Sequence, residues 1–314
     1  MTQRKKRIAN TISIPQLFRL FPTEQACIDW LEAARWNGKP VCPHCGGHEN
    51  ITQPASKPNT YWHKDCRKHF TVKTGTVMHS SKTDTRNWML AIYYYMTARK
   101  GISAMQLSKE LGVQYRTAWH MGHRIREACK EGGDFMLNQV VEMDATYIGG
   151  KESNKHESKK LKAGRGTVGK QAVMGMRERQ GKVKVLPVAS ESQKTVKQVV
   201  KSHVKAGSTI YTDDHGSYNV IQSMPFSHEA VKHSAKEYVN GMAHTNGIES
   251  VWALLKRSIN GTWHHVSIKH LQRYINEATF RLNGGNCEVD TIDRIRAVVA
   301  GMGGKRAPYR ELIA

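Results

Sequence analysis

From residue 139 onward the sequence changes from helical periodicity to short apolar segments, and their order constrains the fold more than any other feature. The predicted elements are strands at 139–148, 171–178 and 182–188, a helix at 195–204, a strand at 208–213, a helix at 216–223, an edge strand at 228–239 and a helix from 244. The strand segments are short, rich in apolar residues and separated by turn residues such as Arg179-Gln-Gly181. We therefore expect an α/β domain built on a mixed sheet.

Three carboxylates occupy this predicted framework at positions that can converge. Asp144 lies on the first strand, Asp213 ends the fourth strand, and Glu249 lies near the start of the last helix. This order of elements is the ribonuclease H topology. Carboxylates at one sheet edge are the ligands that two Mg²⁺ ions, about 4 Å apart, need for in-line displacement at phosphorus. The predicted roles are a bridging ligand for Asp144 and single-ion ligands for Asp213 and Glu249.

The helix that carries Glu249 is predicted from its apolar periodicity. The apolar residues recur at steps of three and four: Ile248, Val251, Trp252, Leu255 and Ile259. Thr245 or Asn246 can cap the start of this helix. Glu249 then lies beside the buried stripe near the helix N-terminus, where an anion is favourable.

Other readings of these carboxylates remain open. A glutamate in the first turn of a helix is, taken alone, most often a solvated residue. Asp214 competes with Asp213, which is preferred because it directly follows the apolar segment Ile210-Tyr-Thr. Glu142 shares a face with Asp144 by strand alternation, so it is a further candidate.

The charge of the chain points to a polyanionic partner. The 314 residues carry a formal net charge of +22, with a pI near 9.8. Nucleic acid is the expected partner, because no stretch approaches the roughly 18 apolar residues of a membrane span. The basic segment 1–7 is not followed by the apolar region of a secretory signal. We therefore expect a cytoplasmic, nucleoid-associated protein with no membrane association.

Two residue pairs with metal-ligand spacing precede the predicted sheet. Cys42-Pro-His-Cys45 is followed, after 18 positions, by His63-Lys-Asp-Cys66. Two pairs that are each separated by two residues are typical of a zinc ribbon, in which four side chains surround a structural Zn²⁺. His44, His48 and His69 are competing donors. We therefore predict that Cys42, Cys45, His63 and Cys66 bind zinc.

A helix-turn-helix is predicted between residues 102 and 126. Ser103 can cap the first helix, and Gly112 supplies the turn. The second helix would begin with the four residues that reach base edges in a major groove: Gln114, Tyr115, Arg116 and Thr117. The alternative is an ordinary helical hairpin with a basic outer face.

Seven segments, in this order, resemble motifs of the DDE transposases of the insertion-sequence 1595 family. They are Cys42-Pro-His-Cys45, Asp144-Ala-Thr-Tyr-Ile-Gly-Gly-Lys151, Gly164-Arg-Gly166, Ile210-Tyr-Thr-Asp-Asp214, His233-Ser-Ala-Lys-Glu-Tyr-Val239, His244-Thr-Asn-Gly-Ile-Glu249-Ser and Gly261-Thr-Trp-His-His-Val-Ser267-Ile-Lys-His-Leu271. The resemblance spans roughly residues 20–285. It departs from the family at His63, where relatives more often have Cys, and at Ala145, where Glu is expected.

The resemblance implies an enzyme that cuts and joins element ends with Mg²⁺ or Mn²⁺. The family's catalytic carboxylates fall on Asp144, Asp213 and Glu249, and Asn246 would assist metal or DNA binding. The implied substrates are double-stranded terminal inverted repeats and target DNA, held by a DNA-assembled homodimer. Further basic candidates for DNA contact are Lys151, Arg165, Lys256 and Arg257.

The expected organisation has five parts. They are a helical lead-in at 1–38, a zinc ribbon at 39–80, a helix-turn-helix at 81–133, a ribonuclease H-like catalytic domain at 134–285 and a tail at 286–314 that has no assigned function. Two other functions stay open. One is a domesticated, inactive DNA-binding protein, and the other is a resolvase or nuclease on the same fold.

Overall fold

The computed structural model describes residues 9–131, 135–150, 156–160, 166–179, 181–231 and 244–314. The helices are α1 (Ile14–Leu20), α2 (Glu24–Trp36), α3 (Thr85–Thr97), α4 (Ala104–Leu111), α5 (Tyr115–Ala128), α6 (Gln193–His203), α7 (Asn246–Ser258), α8 (Ile268–Leu282), α9 (Thr291–Ala300) and α10 (Tyr309–Ile313). The strands are β1 (Ile51–Thr52), β2 (Tyr61–His63), β3 (Lys68–Phe70), β4 (Val140–Ile148), β5 (Gln171–Glu178), β6 (Val183–Val188), β7 (Thr209–Asp213) and β8 (Ser227–Val231). Short 3₁₀ helices occupy Glu157–Lys159 and Gly216–Ser223, and a π-helical turn occupies Ile259–Trp263.

The chain forms two compact units, Met1–Glu131 with Gly284–Ala314, and Gly132–Asn283. In the first unit, β1, β2 and β3 form a small antiparallel sheet. An aromatic cluster supports this sheet, because Trp36 of α2 packs edge-on against Tyr61 and Phe70. Such a sheet is too small to fold on its own core, so it depends on other contacts.

The helical pair α4 and α5 also lies in the first unit. The Ser103 side chain caps α4, and Gly112 ends it with a φ of 63°. This left-handed conformation suits glycine because it has no Cβ. Leu107 and Ala118 are fully buried between the helices. The capping and turn roles predicted from the sequence are thus confirmed.

The C-terminal residues belong to this first unit. Helix α9 packs against α2, α3 and α5, and its Ile295 and Val298 are fully buried. Arg294 is also buried and donates to the Met96 carbonyl of α3. The segment that the sequence left without a role is therefore a structural part of the N-terminal unit.

The second unit contains a five-stranded sheet in the order β6-β5-β4-β7-β8. Strands β4, β5 and β6 are antiparallel neighbours, whereas β7 and β8 run parallel to β4. Helix α6 covers one face of the sheet, and α7 with α8 covers the other. This is the ribonuclease H-like mixed sheet, and the predicted fold class is confirmed.

Several element boundaries differ from the expectation, most of them by one or two residues. Helix α6 begins at Gln193, two residues earlier than predicted, because Ser192 caps it. The predicted helix at 216–223 is a 3₁₀ helix. The edge strand β8 is Ser227–Val231, and residues 232–239 of the predicted strand lie outside the described residues.

Gly175 allows α7 to approach the sheet closely. A Cβ at this position would lie 2.6 Å from Trp252 Cη2 and 2.8 Å from Ile248 Cδ1. We expect Gly175→Ala to destabilise the second unit by about 1–3 kcal/mol because α7 would be displaced. The urea unfolding midpoint of Gly175→Ala should be lower than that of Gly216→Ala, because the Cβ added at Gly216 would meet nothing within 4 Å. Equal midpoints would contradict this packing.

Candidate functional site

Four side chains of the small N-terminal sheet converge on one point. The donor atoms of Cys42, Cys45, His63 and Cys66 all lie within 4.8 Å of one another. Sγ of Cys42 is 3.6 Å from Sγ of Cys66, and His63 Nδ1 is 3.2 Å from the Sγ atoms of Cys45 and Cys66. A tetrahedral zinc ion with ligands at about 2.0–2.3 Å requires donor separations of roughly 3.5 Å. The set therefore fits such an ion closely.

The surroundings of His63 favour Nδ1 as the coordinating atom. Its Nε2 lies 3.2 Å from an Asp65 carboxylate oxygen, whereas its Nδ1 faces the sulfur atoms of Cys45 and Cys66. Gly47 leaves room for the ring, since a Cβ there would lie 2.7 Å from His63 Cε1. In contrast, Nε2 of the competing donor His44 is 3.3 Å from the His69 carbonyl oxygen.

Asp144 and Asp213 lie at the point where β4 and β7 stop pairing. The parallel pairing ends at Glu142 opposite Tyr211. Two residues further along each strand, the same register brings Asp144 beside Asp213. Side chains at equivalent positions of neighbouring parallel strands share a face of the sheet. Both carboxylates therefore lie at one cleft at the carboxyl ends of these strands.

Asp144 is largely withdrawn from solvent. Burial raises the pKa of its carboxyl group to about 6. A hydrogen bond from Trp252 Nε1 to Oδ2, 2.8 Å long, acts in the opposite direction and favours the ionised form. The negative charges of Asp213 and Glu191 raise the pKa further. A bound cation would reverse this balance and keep the carboxylate ionised.

Helix α7 brings Glu249 to the same side of the sheet. Trp252 of α7 contacts Asp144, and Glu249 lies three residues earlier, about one turn away. Glu249 is exposed and accepts a hydrogen bond from Thr245 Oγ1 at 3.0 Å. In the described part of the chain, the Cys/His set is the only group of three or more metal-binding side chains within 4.8 Å. The three carboxylates are thus more widely spaced than the zinc-ribbon donors.

Glu142 holds the start of α7 against β4. Its Oε2 accepts the Ile248 backbone N–H at 3.0 Å, and its Oε1 lies 3.5 Å from Arg179 Nη2 and 3.4 Å from His244 Nδ1. The side chain is only 2% exposed. A Cβ at Gly247 would lie 2.5 Å from Oε2, so glycine permits this approach. Glu142 is therefore a positioning residue whose oxygens are engaged by the protein.

A fourth carboxylate near the cleft, Glu191, was missed by sequence reasoning. Its side chain is 10% exposed, Oε2 accepts from the Tyr147 hydroxyl at 3.2 Å, and Oε1 lies 3.6 Å from His215 Nδ1. Burial raises the pKa of Tyr218, and the charge of Glu191 raises it further. Glu191 precedes α6 in a short loop without a recognisable motif, so only the fold brings it near Asp144.

Family models match two segments of the chain. Residues 136–283 match the model of the ISXO2-like transposase domain of the IS1595 family, and residues 22–69 match the transposase zinc-ribbon domain of the same family. Together the two matches cover more than half of the chain. The chain belongs to the IS1595 transposase family. The first match contains Asp144, Asp213 and Glu249, and the second contains all four Cys/His donors.

Individual relatives of this chain are distant. An uncharacterized protein in transposable element ISH50 of Halobacterium salinarum is 29% identical over 250 residues, which are 76% of this chain and 84% of the relative. An uncharacterized transposase-like protein of Haemophilus influenzae is 28% identical over 121 residues, 38% of this chain and 95% of the relative. The structure of the HTLV-2 integrase catalytic core domain in complex with magnesium aligns with 49% of this chain and 90% of its own chain, at 17% identity and a TM-score of 0.28.

The remaining predicted residues of the transposase are mostly on its surface. The exposed set comprises Gln114, Tyr115 and Arg116 at the start of α5, Asp214 after β7, and Asn246, Lys256 and Arg257 on α7. Thr117 is half-buried, and the Arg116 guanidinium lies 5.9 Å from the centre of the Tyr309 ring. Lys151 and Arg165 lie outside the described residues. No helix in the described ranges has the length and apolar character needed to cross a membrane.

Proposed function

We propose that this protein cuts and joins DNA at the terminal inverted repeats of its own insertion sequence. The observation that carries the proposal is the position of Asp144 beside Asp213 just beyond the last paired residues of β4 and β7, inside the segment that matches the transposase domain. Helix α7, tied to Asp144 through Trp252, brings Glu249 as the third carboxylate. Two in-line displacements follow: water frees a 3′-hydroxyl, which then attacks target DNA.

The catalytic metal in this proposal is Mg²⁺ or Mn²⁺. Asp144, Asp213 and Glu249 would hold it, because carboxylate oxygens suit these hard cations. When bound, it supplies charge stabilisation at the reacting phosphorus. The Trp252 N–H orients the Asp144 carboxylate through its Oδ2 atom. Glu142 keeps α7, and with it Glu249, against β4.

The N-terminal unit would position the DNA. We propose that Cys42, Cys45, His63 and Cys66 hold a structural zinc ion within a ribbon at 39–80, and that 81–133 form a DNA-binding helix-turn-helix. The exposed start of α5, residues 114–117, would then contact base edges. The net charge of +22 supports a DNA partner. Two copies assembled on DNA would pair the element ends, and we expect the protein to be found with cellular DNA.

A strand-transfer assay tests the proposed reaction. Purified protein, Mg²⁺ and a labelled duplex ending in the terminal repeat should give joined products that Glu249→Gln does not give, because a metal ligand is lost. DNA binding should persist in the variant. Glu229→Gln is a matched control, since Glu229 is an exposed carboxylate on the edge strand β8. Binding without cleavage by any form would indicate a domesticated DNA-binding protein, and cleavage without joining would indicate a nuclease.

A further inference from the structure

A basic cavity lies next to the carboxyl end of β4. Its volume is about 590 Å³, and it is lined by Gly149 and Gly150 after β4, Lys170 before β5, Lys256 near the end of α7, and His264 and His265 after the π-helical turn. The volume is within the range of pockets that hold small ligands, roughly 300–1,000 Å³. Two segments that the catalytic proposal leaves without a role, the glycine pair and the His264-His265 pair, meet at this cavity.

The lining is suited to an anion. It offers two lysine ammonium groups and two imidazoles, and none of the lining residues that the structure describes is acidic. Among the described residues, neither Lys170 nor Lys256 forms an ion pair. Gly149 lies directly against Lys170, since a Cβ there would be 3.1 Å from Lys170 Cα. Space above Gly150 is open, because a Cβ there would meet nothing within 4 Å.

The backbone at the cavity is strained. The helical turn after α7 widens to the π form at Ile259–Trp263, and His264 follows with φ 58° and ψ −45°. A non-glycine residue rarely adopts such a conformation, which persists only where the surrounding structure holds it. Here the Trp263 ring packs against the Tyr274 ring, with 4.6 Å between the ring centres. His264 Nδ1 lies 3.1 Å from the Asn260 carbonyl oxygen. This conformation presents two exposed imidazoles in succession.

The cavity is close to the carboxylate cleft. Tyr147 lines the cavity, and its hydroxyl group donates a hydrogen bond to Glu191. The negative charge of Glu191 in turn raises the pKa of Asp144 in the cleft. Asp144 and Tyr147 are three residues apart on β4, about 10 Å at 3.3 Å per residue. A DNA strand advances about 3.4 Å per nucleotide along its axis, so a few nucleotides span this separation.

We propose that this cavity binds a backbone phosphate of the DNA strand a few nucleotides from the cleaved bond. Lys170 and Lys256 neutralise the phosphate, and His264 and His265 donate hydrogen bonds to it. This inference rests on the proposed function. It goes further by assigning one phosphate contact to a defined set of side chains, which fixes the strand relative to Asp144.

Site-specific neutralisation of DNA phosphates tests this contact. Duplexes carrying the terminal repeat, each with one methylphosphonate near the cleavage site, are bound by protein that carries Glu249→Gln, so that cleavage does not interfere. A methylphosphonate at one position within a few nucleotides of the cut should weaken DNA binding about 10-fold, as expected for the loss of a charge-assisted hydrogen bond to that phosphate. Adding Lys170→Gln and Lys256→Gln should remove this sensitivity, because the contact is already lost.

Lys197→Gln with Lys201→Gln is the matched control. These exposed lysines lie on α6, on the opposite face of the sheet, and their replacement removes the same charge. The control should keep the sensitivity to the one methylphosphonate. If the cavity variant keeps it too, the two cavity lysines do not make this phosphate contact. If the control loses it equally, the lysines act only through overall charge. Either outcome would make the inference wrong. Strand transfer by the wild-type protein in either case would leave the proposed function intact.

Discussion

Removal of zinc, or Cys42→Ser, is expected to unfold the three-stranded ribbon. A structural zinc ion contributes on the order of 10 kcal/mol to the folding of such a segment. The three strands have only two or three residues each, so few backbone hydrogen bonds would remain to hold them. Zinc content by atomic absorption and near-ultraviolet circular dichroism of the Trp36, Tyr61 and Phe70 cluster measure the effect.

Cys287→Ser is the control for this experiment. Cys287 is a free, exposed cysteine of the same unit and is not part of the metal-binding cluster. It should keep one zinc ion per chain and the wild-type spectrum. A Cys42→Ser protein with full zinc content and an unchanged spectrum would rule out a ligand role for Cys42.

Asp144→Asn and Asp213→Asn are each expected to reduce DNA cleavage by at least about 10³-fold, whereas Asp214→Asn changes it only several-fold. A 10³-fold loss corresponds to about 4 kcal/mol of transition-state stabilisation. The difference follows from strand register, because Asp213 ends β7 beside Asp144 and Asp214 lies beyond the strand, exposed. Single-turnover cleavage in Mg²⁺ at saturating protein measures the rates.

All three substitutions remove one negative charge, so Asp214→Asn controls for the effect of charge on DNA binding. Affinities measured without metal should be similar for the three variants, and their thermal unfolding should match that of the wild type. A cleavage loss at Asp214 equal to that at Asp213 would show that the register does not select the ligand. The assignment would then move to the residue after the strand.

Much of the fold could be predicted from local patterns in the sequence. Strands β4, β5 and β6 begin and end within one residue of the predicted segments, because apolar content and turn residues mark strand ends locally. The Cys/His pairs were identifiable because metal geometry fixes their spacing. Predicting Asp213 rather than Asp214 depended on the same local logic, since the end of an apolar run marks the end of a strand.

Contacts between distant segments could not be predicted in this way. Glu191 approaches Asp144 only because β4 and α6 pack together, and no residue near Glu191 signals that contact. One partner of Glu142 is Ile248 on α7, 106 residues away, and another is Arg179 after β5, 37 residues away. Nor does the amphipathic pattern of α9 reveal which surface it covers.

The position of α9 has a consequence for the synthesis of the protein. Residues up to 131 leave the ribosome before the second unit, but the helix that covers α2 and α3 lies at 291–300. At about 5–20 residues per second, roughly 10–30 s separate these events. The second unit can thus fold on the ribosome before the N-terminal unit is complete. A translation product that stops before α9 would keep its carboxylates yet leave the apolar face of α3 uncovered.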